Sequence, residues 1–129
     1  MRALLLDTHA FLWFVYDDAR ISARATEMIE DGSTDKLLSV ASLWEIVVKS
    51  QLGKLELGMS TEEFLEQRLP SWQLQILGIE TRDLVAYSRL PLYHRDPFDR
   101  LIIAQGACRH VPVVTSNPSF SDYDIETCW

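Results

Sequence analysis

Four acidic residues stand in apolar company. Asp7 closes the run Ala3-Leu4-Leu5-Leu6. Glu45 lies between Leu43-Trp44 and Ile46-Val47-Val48, and Asp96 and Asp99 precede Leu101-Ile102-Ile103-Ala104. A carboxylate withdrawn from water must be paired, protonated or bound to a cation. Each acid also has an ordinary structural reading. Asp7 can end a strand and cap the next helix. Glu45 can pair with Lys49 one helical turn later. Asp96 can be an N-cap that accepts from the amide of Phe98 or Asp99, which leaves Asp99 in the first turn with its carboxylate free. Arg95 and Arg100 flank this pair and could neutralise either acid. Brought to one place, such carboxylates repel, and their pKa values rise unless cations bind. All-oxygen donors, with no Cys-x-x-Cys pair and little His, suit Mg²⁺ or Mn²⁺ rather than Zn²⁺. Those cations activate water and hold phosphate oxygens during in-line displacement. The residues therefore point to a metal-dependent phosphodiester or phosphoryl site, provided that the fold brings them together.

The elements that must do so follow from hydrophobic patterning. Residues 2–7 read as a short strand buried on both faces. Thr8 is a candidate cap for a helix over 9–16, and Ser22 caps another over 22–31, ended by Asp31-Gly32. A strand from Lys36 to Val40 leads to a helix opened by Ser39 or Ser42, running to about Leu52 and closed by Gly53. Thr61 caps a helix over 61–69. Residues 73–77 form a weak strand. Residues 80–90 are helical up to Pro91. Asp96-Pro97 starts a helix that runs to about Arg109. Val111–Thr115 is a strand, and 125–129 is an edge strand. Strands alternating with helices give one α/β domain over 1–129 with a mostly parallel sheet. In such sheets ligands sit beyond the carboxyl ends of the strands, where Asp7 would lie.

Composition sets the outer limits. The chain has 129 residues, 47% hydrophobic and 24% charged, which suits one core rather than two. No apolar stretch approaches the roughly 20 residues of a membrane helix, so no membrane association is expected. Leu4-Leu5-Leu6 is stopped at once by Asp7, so no targeting segment is expected either. Cys108 and Cys128 are too few for a disulfide framework and read as free thiols in a reducing cytosol, hence a cytoplasmic protein. The net charge of −7 argues against binding nucleic acid over the whole surface, but not against an acidic site that handles phosphate through bound cations.

Four segments, taken in order, resemble the PIN-domain nucleases, specifically the VapC toxins of bacterial toxin–antitoxin pairs. They are Leu4-Leu-Leu-Asp-Thr-His-Ala-Phe-Leu-Trp13, Ser39-Val-Ala-Ser-Leu-Trp-Glu-Ile46, His94-Arg-Asp-Pro-Phe-Asp-Arg-Leu-Ile-Ile-Ala-Gln105 and Val113-Val-Thr-Ser-Asn-Pro-Ser-Phe120. The resemblance spans essentially the whole chain. It implies a three-layer α/β/α sandwich and Mg²⁺- or Mn²⁺-dependent RNA cleavage that leaves a 5′-phosphate and a 3′-hydroxyl. Asp7, Glu45 and Asp99 match the family's acids, and Asp96 matches a neighbouring acid of one subgroup, so all four are implied as catalytic metal ligands. Asn117 stands where many relatives have Asp. It can coordinate through its carbonyl but brings no charge, which bears on whether a second metal is held. Thr115 or Ser116 would orient this corner. The resemblance also implies a homodimer and a small antitoxin whose C-terminal segment covers the acidic groove, with the helices at 9–16 and 22–31 as the candidate partner face.

Other residues near the acids have weaker claims. His9 and His94 lie close to them in sequence. Trp13, Trp44 and Phe11 read as core or interface rather than base-stacking platforms. Arg95, Arg100, Lys49 and Lys54 are the nearest phosphate contacts, or else solvated surface charge. Two rival readings stand beside the nuclease. A haloacid-dehalogenase-like phosphatase also opens on a strand ending in Asp, but it needs a second Asp two residues later, and this chain has His9. A catalytically impaired PIN-like module would bind antitoxin or RNA without cutting; Asn117 and the negative charge are its support.

Overall fold

The computed structural model describes residues 2–129. Five strands, β1 (Arg2–Leu6), β2 (Thr34–Ser39), β3 (Gln75–Leu77), β4 (Val113–Val114) and β5 (Thr127–Cys128), form one sheet in the order β3-β2-β1-β4-β5. Every neighbouring pair is parallel, so all carboxyl ends share one edge. β1 is central, and Leu4, Leu5 and Leu6 are all buried, as a strand covered on both faces requires. Alternation along β1 divides the core. Leu4 and Leu6 pack with Phe11, Ile29, Leu38, Ile46 and Phe64 on one face. Leu5 packs with Val113, Ile102, Ile103 and Phe120 on the other. The first face is covered by α1 (Thr8–Val15), α2 (Ala23–Glu30), α3 (Val40–Gln51) and the segment Phe64–Trp72 that follows the short α4 (Thr61–Glu63). The second is covered by α6 (Pro97–Arg109), against which α5 (Thr81–Arg89) packs. The result is the expected three-layer α/β/α sandwich, with a sheet that is wholly rather than mostly parallel.

Several boundaries differ from the expectations, each for a physical reason. The cap of α1 is Asp7, not Thr8: the Asp7 carboxylate accepts from the Ala10 amide at 2.7 Å. β2 begins at Thr34, two residues before Lys36, because Thr34 pairs with Arg2 at the start of β1. Of the two serines considered, Ser39 caps α3, accepting from Ala41. The helix expected over 61–69 begins as α4, widens into a π-helix over Phe64–Arg68 and tightens into a 3-10 turn over Leu69–Trp72. Pro70 has no amide hydrogen to continue a helical ladder. The strand expected over 111–115 shrinks to Val113–Val114.

α6 packs unusually close to the sheet. A Cβ added at Gly106 would lie 2.9 Å from Val113 Cγ2 and 3.4 Å from the Val111 carbonyl oxygen. The missing side chain is what lets the helix come this close to β4.

Candidate functional site

Three elements deliver the acids to one edge of the sheet. The end of β1 places Asp7, α3 places Glu45 between its capped start and its middle, and the first turn of α6 places Asp96 and Asp99. Asp7 and Glu45 are 4% and 2% exposed, so both are carboxyl groups taken almost wholly from water.

Each acid has partners within the protein. Asp7 accepts from the Ala10 amide through Oδ1 and from the Thr115 hydroxyl through Oδ2, at 2.7 and 2.5 Å. Glu45 accepts from the Thr8 hydroxyl at 2.6 Å and from the Lys49 ammonium at 2.5 Å. Asp96 caps α6, with one oxygen accepting from the amides of Phe98 and Asp99. Asp99 shares a hydrogen bond of 2.7 Å with His94 Nε2. The ordinary readings of Asp7, Glu45 and Asp96 as cap, ion pair and cap are therefore all present. They coexist with burial and crowding that those roles alone do not require.

The charges bear on one another across elements. Burial pushes the Asp7 carboxyl up to about 6; the bonds from Thr115 and Ala10 oppose this, and the Glu45 charge adds to it. Burial likewise pushes Asp99 up to about 6, against the His94 bond and with the help of the charges of Asp96 and Glu45. Burial works to lower the Lys49 pKa, but the bond to Glu45 and the charges of Glu45, Asp96 and Asp99 outweigh it and hold it above its ordinary value. Glu45 thus bears on Asp7 and on Asp99, which come from β1 and α6.

Among the described residues, no three His, Cys, Asp or Glu side chains are arranged to hold an ion as they stand. Asp7 and Glu45 have both oxygens bonded within the protein, and Asp99 has one oxygen turned to His94. The donor set nevertheless fits a hard divalent cation. It is all oxygen, two of its carboxyls are pushed up chiefly by burial with neighbouring charges adding to it, and hydroxyl and ammonium partners can be exchanged by side-chain rotation.

The flanking residues divide. Asn117 caps the 3-10 turn at Pro118–Asp122, and its Oδ1 accepts from both the amide and the hydroxyl of Ser119. Thr115 links this corner to Asp7, while Ser116 is exposed. Arg100 neutralises neither Asp96 nor Asp99. It is 4% exposed and donates to the carbonyls of Tyr87, Leu90, Pro91 and His94 and to the Tyr123 hydroxyl, with its guanidinium 4.7 Å over the Tyr87 ring. Tyr123 also accepts from the His94 amide and donates to the Pro91 carbonyl. Together they hold the loop that presents His94 to Asp99. Sequence reasoning missed this role for Arg100 and Tyr123, and it took Thr8 for a cap rather than the partner of Glu45. Phe11 is core, as expected, whereas Trp44 is 55% exposed and stands edge-on to Phe98 beside the acids. His9 stacks on Trp13 at 5.4 Å. A cavity of about 480 Å³ adjoins the Glu45 end of the cluster, lined in part by Thr8, His9, Trp13, Arg20, Lys49 and Lys54.

This arrangement has relatives. The PIN domain family matches residues 4–126, and the chain belongs to that family. No curated protein sequence gives a significant match. Among solved structures, a chain of VapBC2 from Rickettsia felis, bound to a DNA fragment of its promoter, is similar with a TM-score of 0.72 at 15% identity, over 98% of this chain and 97% of that one. A chain of DNA-bound VapBC from Salmonella typhimurium has a TM-score of 0.72 at 17% identity, over 99% and 98%. A chain of VapBC-5 from Mycobacterium tuberculosis, a member of the VapBC family of toxin–antitoxin systems, has a TM-score of 0.59 at 23% identity, over 98% of both chains. At these identities the likeness is one of fold.

Proposed function

We propose that this PIN-domain protein is a divalent-metal-dependent endoribonuclease of the VapC type, the toxin of a toxin–antitoxin pair. The observation that carries the reading is the convergence of Asp7, Glu45, Asp96 and Asp99 from three elements, with the Glu45 charge felt by both Asp7 and Asp99. Family membership and the toxin–antitoxin complexes among the fold's relatives support it. Asp7, Glu45, Asp96 and Asp99 are the residues that would hold Mg²⁺ or Mn²⁺. When bound, such an ion supplies an activated water and neutralises charge on the phosphate.

The rest of the chemistry falls to the chain. Thr115 fixes the Asp7 carboxylate and His94 fixes that of Asp99. Lys54, in the cavity beside Glu45, supplies positive charge to the phosphate backbone of the RNA, whereas Arg20 in the same cavity is paired with Asp18. Asn117, committed to Ser119, adds no negative charge for a second ion. A small antitoxin and a second copy of the chain are the protein partners this reading carries.

The test is cleavage of total and structured RNA by the purified chain with Mn²⁺, with Mg²⁺ and with EDTA, beside Asp99→Asn. The expected result is metal-dependent cutting that the variant loses by at least about a hundredfold, as removal of a group acting on the transition state does. Asp99→Asn with undiminished activity would remove this assignment. A folded, antitoxin-free chain that neither cuts RNA nor binds metal would favour the impaired binding module.

A further inference from the structure

Lys49 is placed where a cation is wanted. It follows Glu45 by one turn of α3, and its ammonium meets the Glu45 carboxylate at 2.5 Å, with side-chain exposures of 36% for the lysine and 3% for the glutamate. The same ammonium feels the charges of Asp96 and Asp99 at the start of α6. Two other cationic or cation-capable groups near the acids are engaged differently: Arg100 is turned to backbone carbonyls, and His94 faces Asp99. Lys49 also lines the cavity of about 480 Å³, so its flexible stem has open space beside Glu45 into which it can swing.

We infer that Lys49 is a tethered cation that occupies the carboxylate cluster when no divalent ion is present and withdraws into the neighbouring cavity when one binds, so that it sets the affinity of the site for metal. The inference rests on the metal-dependent reading above. One ammonium offsets part of the repulsion among buried carboxylates, which keeps the edge of the sheet folded without metal. A divalent ion carries twice the charge and coordinates oxygen directly, so it displaces the ammonium from Glu45. Every contact that Lys49 makes in the metal-free state and loses in the metal-bound state is subtracted from the metal's binding. The tether therefore weakens metal affinity and stabilises the metal-free fold by the same interaction.

The experiment measures Mn²⁺ binding by calorimetry on the whole chain, for wild type, Lys49→Met, Lys49→Arg and Lys54→Met, alongside melting temperature in EDTA and at saturating Mn²⁺. Lys54 lines the same cavity, so it controls for the general loss of a positive charge. Lys49→Met is expected to bind Mn²⁺ about five- to tenfold more tightly. It should melt lower than wild type in EDTA, with the gap closing at saturating Mn²⁺. Lys54→Met should change affinity less than twofold. Lys49→Arg keeps the cation and gives a two-pronged contact, so it is expected to bind Mn²⁺ no more tightly than wild type; it keeps the test usable if Lys49→Met does not fold. Unchanged or weaker Mn²⁺ binding in Lys49→Met, tighter binding in Lys49→Arg, or an equal gain in Lys54→Met would overturn the inference alone. Wild type that binds no Mn²⁺ would overturn it together with the metal-dependent reading.

Discussion

Asp7 and Asp99 are carboxyl groups that ionise reluctantly, each pushed up to about 6 chiefly by burial. Both bind a proton more tightly in the folded than in the unfolded chain. Between the ordinary carboxylate range and about pH 6 the folded state therefore holds more protons, and these groups make stability fall as pH rises. For Asp7 the full shift corresponds to about 3 kcal/mol. The metal-free protein is expected to melt about 5 °C or more higher at pH 5 than at pH 7.5. Asp7→Asn keeps the cap acceptor but removes the charge, so its melting profile should be flatter. Thermal melts in EDTA across this range check it; a wild-type profile that rises with pH, or an Asp7→Asn profile no flatter, would contradict it. The four acids were legible because each interrupts or borders an apolar run. Their hydroxyl partners were not legible from the chain's own pattern, and Thr115 was named only through the resemblance. Thr115 lies 108 residues from Asp7, and no local pattern announces that contact.

Among the elements, α6 does most to build the site, and two of its residues make that testable. Gly106→Ala gains helix propensity of about 1 kcal/mol. It also puts a methyl 2.9 Å from Val113 Cγ2, and such overpacking costs typically 1–3 kcal/mol. A net loss of stability in chemical denaturation is expected, and a net gain would show that α6 is less closely held. Arg100→Leu takes a donor from four carbonyls and from the Tyr123 hydroxyl; Tyr123, Pro91 and Tyr87 keep a second donor, but the carbonyls of Leu90 and His94 lose theirs, at a cost of about 3 kcal/mol. It should also free the His94 ring, which NMR of the imidazole reports; an unchanged His94 signal in a folded variant would contradict the clasp. The limits of α6 were legible from Asp96-Pro97 at its start, and its first-turn cap is as expected. The π-helix at Phe64–Arg68 was not, because the periodicity of 61–69 reads as ordinary helix. Arg100 was misread for a related reason: an arginine beside two aspartates suggests an ion pair, and only the packed loop shows that its donors go to carbonyls.

Across the whole molecule, the sheet order β3-β2-β1-β4-β5 with every pair parallel explains why residues so far apart in sequence share one edge. Any residue just past the end of β1 or β4, or at the start of a helix that returns over the sheet, arrives there. Alternating strands and helices made this class of fold readable in advance. Strand order was not readable, because β4 and β5 hold two residues each and carry almost no pattern of their own. In the proposed function a divalent cation completes the cluster of acids at this edge. That completion is the central claim, and anomalous diffraction at the manganese edge from crystals soaked in Mn²⁺ tests it most directly. A peak bordered by the carboxylates of Asp7, Glu45 and Asp99 is the predicted result. Saturating Mn²⁺ that gives no peak there, or a peak only elsewhere on the protein, would contradict it.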